Sequence, residues 1–385
     1  MLMALARTPP SAGHEFPARR FARLGEPLRL HRGGIIEEPV VAYECWGRLN
    51  DARDNTVLLF TGLSPSAHAA SSAADPKPGW WESMIGEGRP IDTARYFVVA
   101  VNSLGSPYGS SSPASIDPRT GVPYGISFPE IAVEDIATAG REALRSLGIE
   151  RVAAVVGPSL GGMVVLAYSV LFPNEVDSLV SISGAARATP FAIALRSLQR
   201  EMVRSDPAWR GGSYIPGRGP RQGLRLARKL GTITYRSPEE WQQRFGRRRV
   251  SEPTGLAGDF RPQFEVESYL EHQAQRFSDT FDANAYLYLS RAMDQFDLAE
   301  HGGGTLAAAF AKFRTKHSLV LGVETDMLFP IDQQREIADH LRAAGGTVEF
   351  HAFPSLQGHD AFLVDHERFE RAIGEFLAGA SEERG

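Results

Sequence analysis

The chain has 385 residues, 43% hydrophobic and 23% charged, the make-up of an ordinary globular protein with room for one large domain and an insertion. A net charge of −5 with no basic face excludes an electrostatic case for nucleic-acid binding. A single cysteine, Cys45, excludes a disulfide scaffold and any cysteine-based zinc cluster.

The opening MLMALARTPPSAG has too short an apolar run for a signal peptide, and no stretch reaches ~18 apolar residues. Neither a membrane span nor a membrane partner is expected, and a cytoplasmic location is. The first thirty residues are irregular and rich in Pro, Arg and Gly. Half-alternating apolar residues from Ile35 to Trp46 predict strands, and TVLLF (Thr56–Phe60) and YFVVAV (Tyr96–Val101) predict buried ones. Frequent Gly, Pro and Ser between Asp51 and Pro129 predict long ordered loops instead of helices. Ile131–Leu147 has helical spacing, VAAVV (Val152–Val156) reads as a strand, Met163–Leu171 as a helix and Leu179–Ile182 as a strand. This alternation predicts an α/β fold with a mostly parallel sheet.

From about Arg187 to Phe310 the pattern is helical. Phe191, Leu195, Leu198 and Met202 fall on one stripe, and polar Gly/Pro-rich linkers are read at 211–219 and 251–262. Strands return at Ser318–Gly322 and Thr347–Phe353 around a helix at Ile331–Ala344. The expected division is therefore a core of 1–186 and 311–385 interrupted by a helical lid, 187–310. No internal repeats are seen.

The strand–helix junction at 155–165 reads VVGPSLGGMVV, and its G-x-S-x-G has the context of a nucleophile elbow. Such a turn holds Ser159 in a strained conformation clear of the sheet, and side chains at Gly157 or Gly161 would collide with neighbours. A serine hydroxyl needs a base, and the chain order in such folds is Ser, acid, His. Asp326 follows the SLVLG strand and His359 follows the TVEFHAF strand, each in a loop at the carboxyl edge of the sheet. Glu324 is an alternative acid; Asp360, His351 and His366 flank the histidine. Asp326 is preferred because Met-Leu-Phe-Pro after it resembles a buried start of the next element, and His359 because Gly358 frees the backbone. His31, His272 and His301 read as surface residues. No HExxH or similar spacing occurs, so no metal is expected. The oxyanion donors expected are the backbone N–H groups of Leu160 and of Leu63 in FTGLSP.

The motifs GWWESMIGEGRPIDTARYFVV, NSLGSPYGSSSPASIDPRTGVPYG, GPSLGGM, ARKLGTITYRS, TDMLFP and GHDAFLVD together resemble the homoserine O-acetyltransferase family of α/β-hydrolase-fold acyltransferases. GLSPSAHAA, SLQREMVRSDPAW, EVESYLEHQAQRF and NAYLYLSRAMDQFDL resemble its branch that acylates L-serine. The resemblance implies a two-step shuttle. Ser159 would take an acyl group from succinyl-CoA or acetyl-CoA, a co-substrate, with no cofactor. L-serine or L-homoserine would then accept it. By resemblance, Arg228 of ARKLG would pair with the acceptor carboxylate and Asp360 with its ammonium. Arg187 or Arg196 would meet the carboxylate of a succinyl donor, the donor the branch favours. The lid would form the CoA tunnel and the contact of a homodimer. The sequence departs from the family in Pro158, where a small or amide residue is usual, and in TGLSP, where homoserine enzymes carry a His-Ala-Leu-Thr-Gly type sequence. A hydrolase using water as acceptor would need the same triad.

Overall fold

A computed structural model describes residues 16–215, 217–251 and 262–382. The first fifteen residues, and most of the linker read at 251–262, lie outside the described residues.

The strands in chain order are β1 (Arg20–Arg23), β2 (Leu28–Arg29), β3 (Ile35–Ile36), β4 (Val40–Trp46), β5 (Thr56–Phe60), β6 (Ile85–Gly86), β7 (Ile91–Asp92), β8 (Phe97–Val101), β9 (Val152–Pro158), β10 (Val176–Ile182), β11 (His317–Val323) and β12 (Thr347–Phe353). Eight of them build one sheet in the order β1-β4-β8-β5-β9-β10-β11-β12. Every pairing from β8 to β12 is parallel, and β4 runs antiparallel to both its neighbours. TVLLF and VAAVVGP are buried throughout, as central parallel strands covered on both faces must be. Their alternation divides the core. Leu58 and Phe60 face one apolar layer; Val57 and Leu59 face the other.

The first layer holds α1 (Val133–Ser146) and α2 (Leu160–Leu171). α1 starts two residues later than its periodicity suggests, because Asp135 caps it by accepting the Ala132 N–H at 2.7 Å. α2 starts at Leu160, directly after Ser159. Between β5 and β8 the chain is an ordered loop with no α-helix among the described residues. It is pinned by Trp81, whose indole N–H donates to the Phe362 carbonyl at 3.0 Å.

Between β10 and β11 come α3 (Pro190–Ser205), α4 (Arg221–Thr234), α5 (Pro238–Phe245), α6 (Glu265–Thr280), α7 (Ala283–Gln295) and the short α8 (Leu306–Phe310). After β11 follow α9 (Ile331–Ala343), α10 (Ala361–Val364) and α11 (His366–Glu382). The helices from α3 to α7 are the inserted lid. Its starts are chemically marked: the side chains of Thr189, Ser237 and Asp282 each accept a backbone N–H of the following first turn.

The stripe read on α3 is split. Leu195 and Met202 pack against the core, whereas Phe191 is 53% and Leu198 46% exposed. The fully buried residues of α3 are Ala192, Arg196, Gln199 and Val203. Arg196 is tolerated there because Asp294 on α7 accepts from its Nε at 2.5 Å. Leu226 and Ile233 on α4 are exposed as well.

Candidate active site

The sheet brings four loops to one edge. β5, β9, β11 and β12 are all parallel, so the residues after Phe60, Pro158, Val323 and Phe353 emerge together at their carboxyl ends. Ser159 sits between β9 and α2 with φ +58°, a left-handed conformation that costs a non-glycine residue about 1–3 kcal/mol. Packing enforces it. A Cβ on Gly157 would lie 2.3 Å from the Gly161 carbonyl oxygen, and one on Gly161 would lie 2.5 Å from that of Phe60. Pro158 removes one donor from the sheet, and the Ser159 N–H restores a link to β10 by donating to Ile182 O at 2.8 Å.

Ser159, His359 and Asp326 form a hydrogen-bonded line. His359 Nε2 is 2.8 Å from Ser159 Oγ, and its Nδ1 is 2.7 Å from Asp326 Oδ2. The other Asp326 oxygen accepts the N–H groups of Leu328 and Phe329, both at 2.9 Å. The carboxylate is thereby fixed, and the run Met-Leu-Phe-Pro acts through its backbone as well as its bulk. The imidazole stacks on Phe329, with centroids 4.9 Å apart, and meets Phe362 edge-on. Burial opposes protonation of His359. The charge and hydrogen bond of Asp326, with Asp360 nearby, outweigh burial, and the pKa lies above its ordinary value. The alternatives lie elsewhere: Glu324 is exposed, His351 pairs with Glu349 and His366 contacts Ser83.

The loop after β5 lies against the serine, for an added Cβ on Gly62 would be 3.9 Å from Ser159 Cβ. Leu63 follows it there, and Leu160 opens α2, whose first-turn N–H groups have no helical partner. The loop is held from behind by His68, a residue the sequence reading passed over. His68 Nδ1 meets Glu44 Oε2 at 2.9 Å and its Nε2 meets the Lys77 carbonyl at 2.9 Å.

Arg228 reaches this loop from the lid. Its Nη1 donates to Ser64 Oγ at 3.0 Å, and its guanidinium lies over Phe277 and Tyr235. No carboxylate among the described residues pairs with it, and its Nε is buried without a partner. Asp360 accepts from Arg236 Nε at 3.1 Å. Arg236, also missed from sequence, donates to Gln357 as well at 2.6 Å and so clamps the histidine loop to the lid. The YRSP that carries it follows ARKLGTIT directly, which was the available signal.

Arg187 is not gathered in. Its guanidinium is 45% exposed and bonds Glu336 at 2.8 Å. Arg196, by contrast, is among the charges acting on His359. Arg196 and Arg200 share the single carboxylate of Asp294. Of the histidines read as surface residues, His301 departs: it is half-buried against the buried carboxylate of Glu134.

The strained serine at the sheet edge, with its histidine and aspartate, defines an α/β-hydrolase-fold enzyme, and the sequence profile of that fold matches residues 55–365. The chain is 58% identical to the serine O-succinyltransferase of Litchfieldella anticariensis over 94% of its own length and 99% of that protein's. It is 55% identical to the L-serine/homoserine O-acetyltransferase of Streptomyces lavendulae, over 94% and 98%. The crystal structure of homoserine O-acetyltransferase from Bacillus anthracis superposes with a TM-score of 0.85 at 28% identity, covering 93% of this chain and 97% of that one. That of esterase E22 superposes at 0.83, also at 28%, covering 93% and 99%. The chain belongs to the family of α/β-hydrolase-fold O-acyltransferases. No helix among the described residues is long and apolar enough to cross a membrane.

Proposed function

We propose that the protein transfers an acyl group, succinyl in preference to acetyl, from an acyl-CoA to the hydroxyl of L-serine through an ester on Ser159. The observation that carries this reading is the line Ser159–His359–Asp326 beneath a lid that presents a carboxylate-free arginine, Arg228. The identity to a serine O-succinyltransferase supports it.

In the first half-reaction Ser159 Oγ attacks the thioester carbonyl and His359 Nε2 takes its proton. Asp326 holds the Nδ1–H and stabilises the imidazolium. Leu63 and Leu160 N–H groups receive the oxyanion, each worth about 3 kcal/mol. Collapse expels the CoA thiolate, which takes the proton from His359 and leaves as the thiol. In the second half His359 removes the acceptor hydroxyl proton as that oxygen attacks the ester; collapse breaks the acyl–Ser159 Oγ bond, His359 returns the proton to Oγ, and O-acylserine leaves. The thioester is already activated, so the reading calls for no cofactor.

Arg228 binds the acceptor carboxylate in this reading, since no carboxylate among the described residues pairs with it and its Nε has no partner. Asp360 binds the ammonium and shares its carboxylate with Arg236. For the donor we favour Arg196 over Arg187: it is buried, and Arg196 and Arg200 against one aspartate leave an excess positive charge that a succinyl carboxylate would balance. In this reading the exposed apolar residues of α3 and α4 supply the contact of a homodimer, and an acyl-CoA donor fits a cytoplasmic location.

A thiol-release matrix tests the reading: succinyl-CoA and acetyl-CoA against L-serine, L-homoserine and no acceptor. Release that depends on serine and is fastest with succinyl-CoA is expected. Equal release without any amino acid would make the protein a hydrolase; preference for homoserine would overturn the acceptor.

A further inference from the structure

Two histidines and a glutamate far apart in sequence converge beside the start of α1, outside the Ser159–His359–Asp326 line. His31 lies in the turn between β2 and β3, Glu134 in the first turn of α1, and His301 in the short 3-10 segment Leu298–Gly302 that follows the lid. His301 Nε2 is 3.0 Å from Glu134 Oε1, and His31 Nε2 is 3.8 Å from the same oxygen. All three donor atoms lie within 4.8 Å of one another. Zinc held by imidazole and carboxylate sits ~2.0–2.2 Å from each donor, so donors around a tetrahedral ion are about 3.3 Å apart. The observed separations bracket that value.

A second observation points to a ligand. Glu134 is only 2% exposed, yet its other oxygen, Oε2, is buried without a hydrogen-bond partner. Leaving a carboxylate oxygen unpaired in the interior is costly, and a cation removes that cost. The arrangement is also held from outside. Asp135 accepts the His31 backbone N–H at 2.7 Å, and its other oxygen accepts that of Ala132. Arg32 donates to the Gln295 carbonyl at 2.8 Å and pairs with Glu300, so its own charge is met.

We propose that His31, Glu134 and His301 form a binding site for a divalent transition-metal ion of the zinc class. Two imidazole nitrogens and one carboxylate oxygen suit Zn²⁺, Co²⁺ or Ni²⁺ and do not suit Mg²⁺ or Ca²⁺, which prefer all-oxygen shells. Water completes the shell on the open side, where His31 is 32% exposed. The ion ties the N-terminal turn, the start of α1 and the chain returning from α7 into one corner. Its role is to brace the lid's return to the core, and no step of acyl transfer passes through it.

The test uses the tag-free full chain, stripped with chelator, and reads binding instead of activity. Titration with Zn²⁺ should show one tight equivalent and raise Tm by a few degrees. Co²⁺ should give the visible absorption of a low-coordinate nitrogen–oxygen site, absent with Mg²⁺. His31→Ala, at the exposed edge, and His301→Ala should each weaken binding at least tenfold, while His272→Ala should leave it unchanged. Circular dichroism confirms that each variant is folded. Absence of a tight equivalent in the wild type would overturn the proposal, as would variants at 31 and 301 that titrate like the wild type.

Discussion

Gly358 passes directly beneath Tyr235: its φ is +60°, and an added Cβ would lie 2.8 Å from the Tyr235 carbonyl oxygen. Tyr235 ends α4 in the lid and also accepts the Asp360 N–H at 3.2 Å. The loop that carries His359 is thus held by the lid on one side and by Asp326 on the other. Gly358→Ala should displace the imidazole while leaving the core intact. We expect kcat to fall at least tenfold and stability to fall by about 1 kcal/mol or more. Unchanged kcat would mean that the lid does not position the histidine.

The hydrogen-bonded line makes its own demand. Asp326→Asn should cut acylation by about 10³–10⁴-fold, because an amide cannot fix the imidazole tautomer or stabilise its cation. Ser159→Ala should yield no covalent adduct on incubation with acyl-CoA, read by intact-protein mass. An adduct on that variant would place the nucleophile elsewhere.

Acylation requires neutral His359, and its pKa is raised. Single-turnover acylation without acceptor should therefore increase with pH, with a midpoint above 6.5. Asp360 contributes to the raised pKa, so Asp360→Asn should move the midpoint to lower pH. Coincident midpoints in the two proteins would remove Asp360 from the electrostatics of the base.

Both ring nitrogens of His68 meet oxygen acceptors, so the ring carries both protons. The hydrogen bond it donates to Glu44 raises its pKa, and burial only partly opposes this. A raised pKa stabilises the fold fully below the unfolded value near 6.5 and ceases to do so as pH climbs through the folded value. Urea unfolding should show the wild type more stable than His68→Gln at pH 6, with the gap closing by pH 9. A gap that widens would mean a neutral ring.

Phe191 and Leu198 on α3, and Leu226 and Ile233 on α4, are exposed large apolar residues, and the proposed homodimer would cover them. Leu198→Glu should convert a dimer to a monomer in light scattering. A wild type that is already monomeric would refute the dimer contact.

Much of the sheet was legible because buried parallel strands are short, uniformly apolar and bounded by turn residues. G-x-S-x-G was legible because the elbow needs both glycines within five residues, although the backbone that excludes a side chain at Gly161 comes from Phe60. Arg236 and His68 were not, since a single polar residue in a loop has no local pattern. The exposure of Phe191 and Leu198 on α3 was not legible either, because periodicity reports that a helix has an apolar stripe, and not which of its residues a neighbour covers.

By itself the sequence determined the alternation of strands and helices, the place of the insertion, and the order Ser159, Asp326, His359. Those follow from local hydrophobic period and turn chemistry, which act over a few residues. Only the tertiary structure decided that Arg196 turns inward to Asp294 while Arg187 turns outward to Glu336, and that His31, Glu134 and His301 share one corner. Such pairings join segments up to 270 residues apart, and they depend on how whole elements pack, which no window along the chain contains.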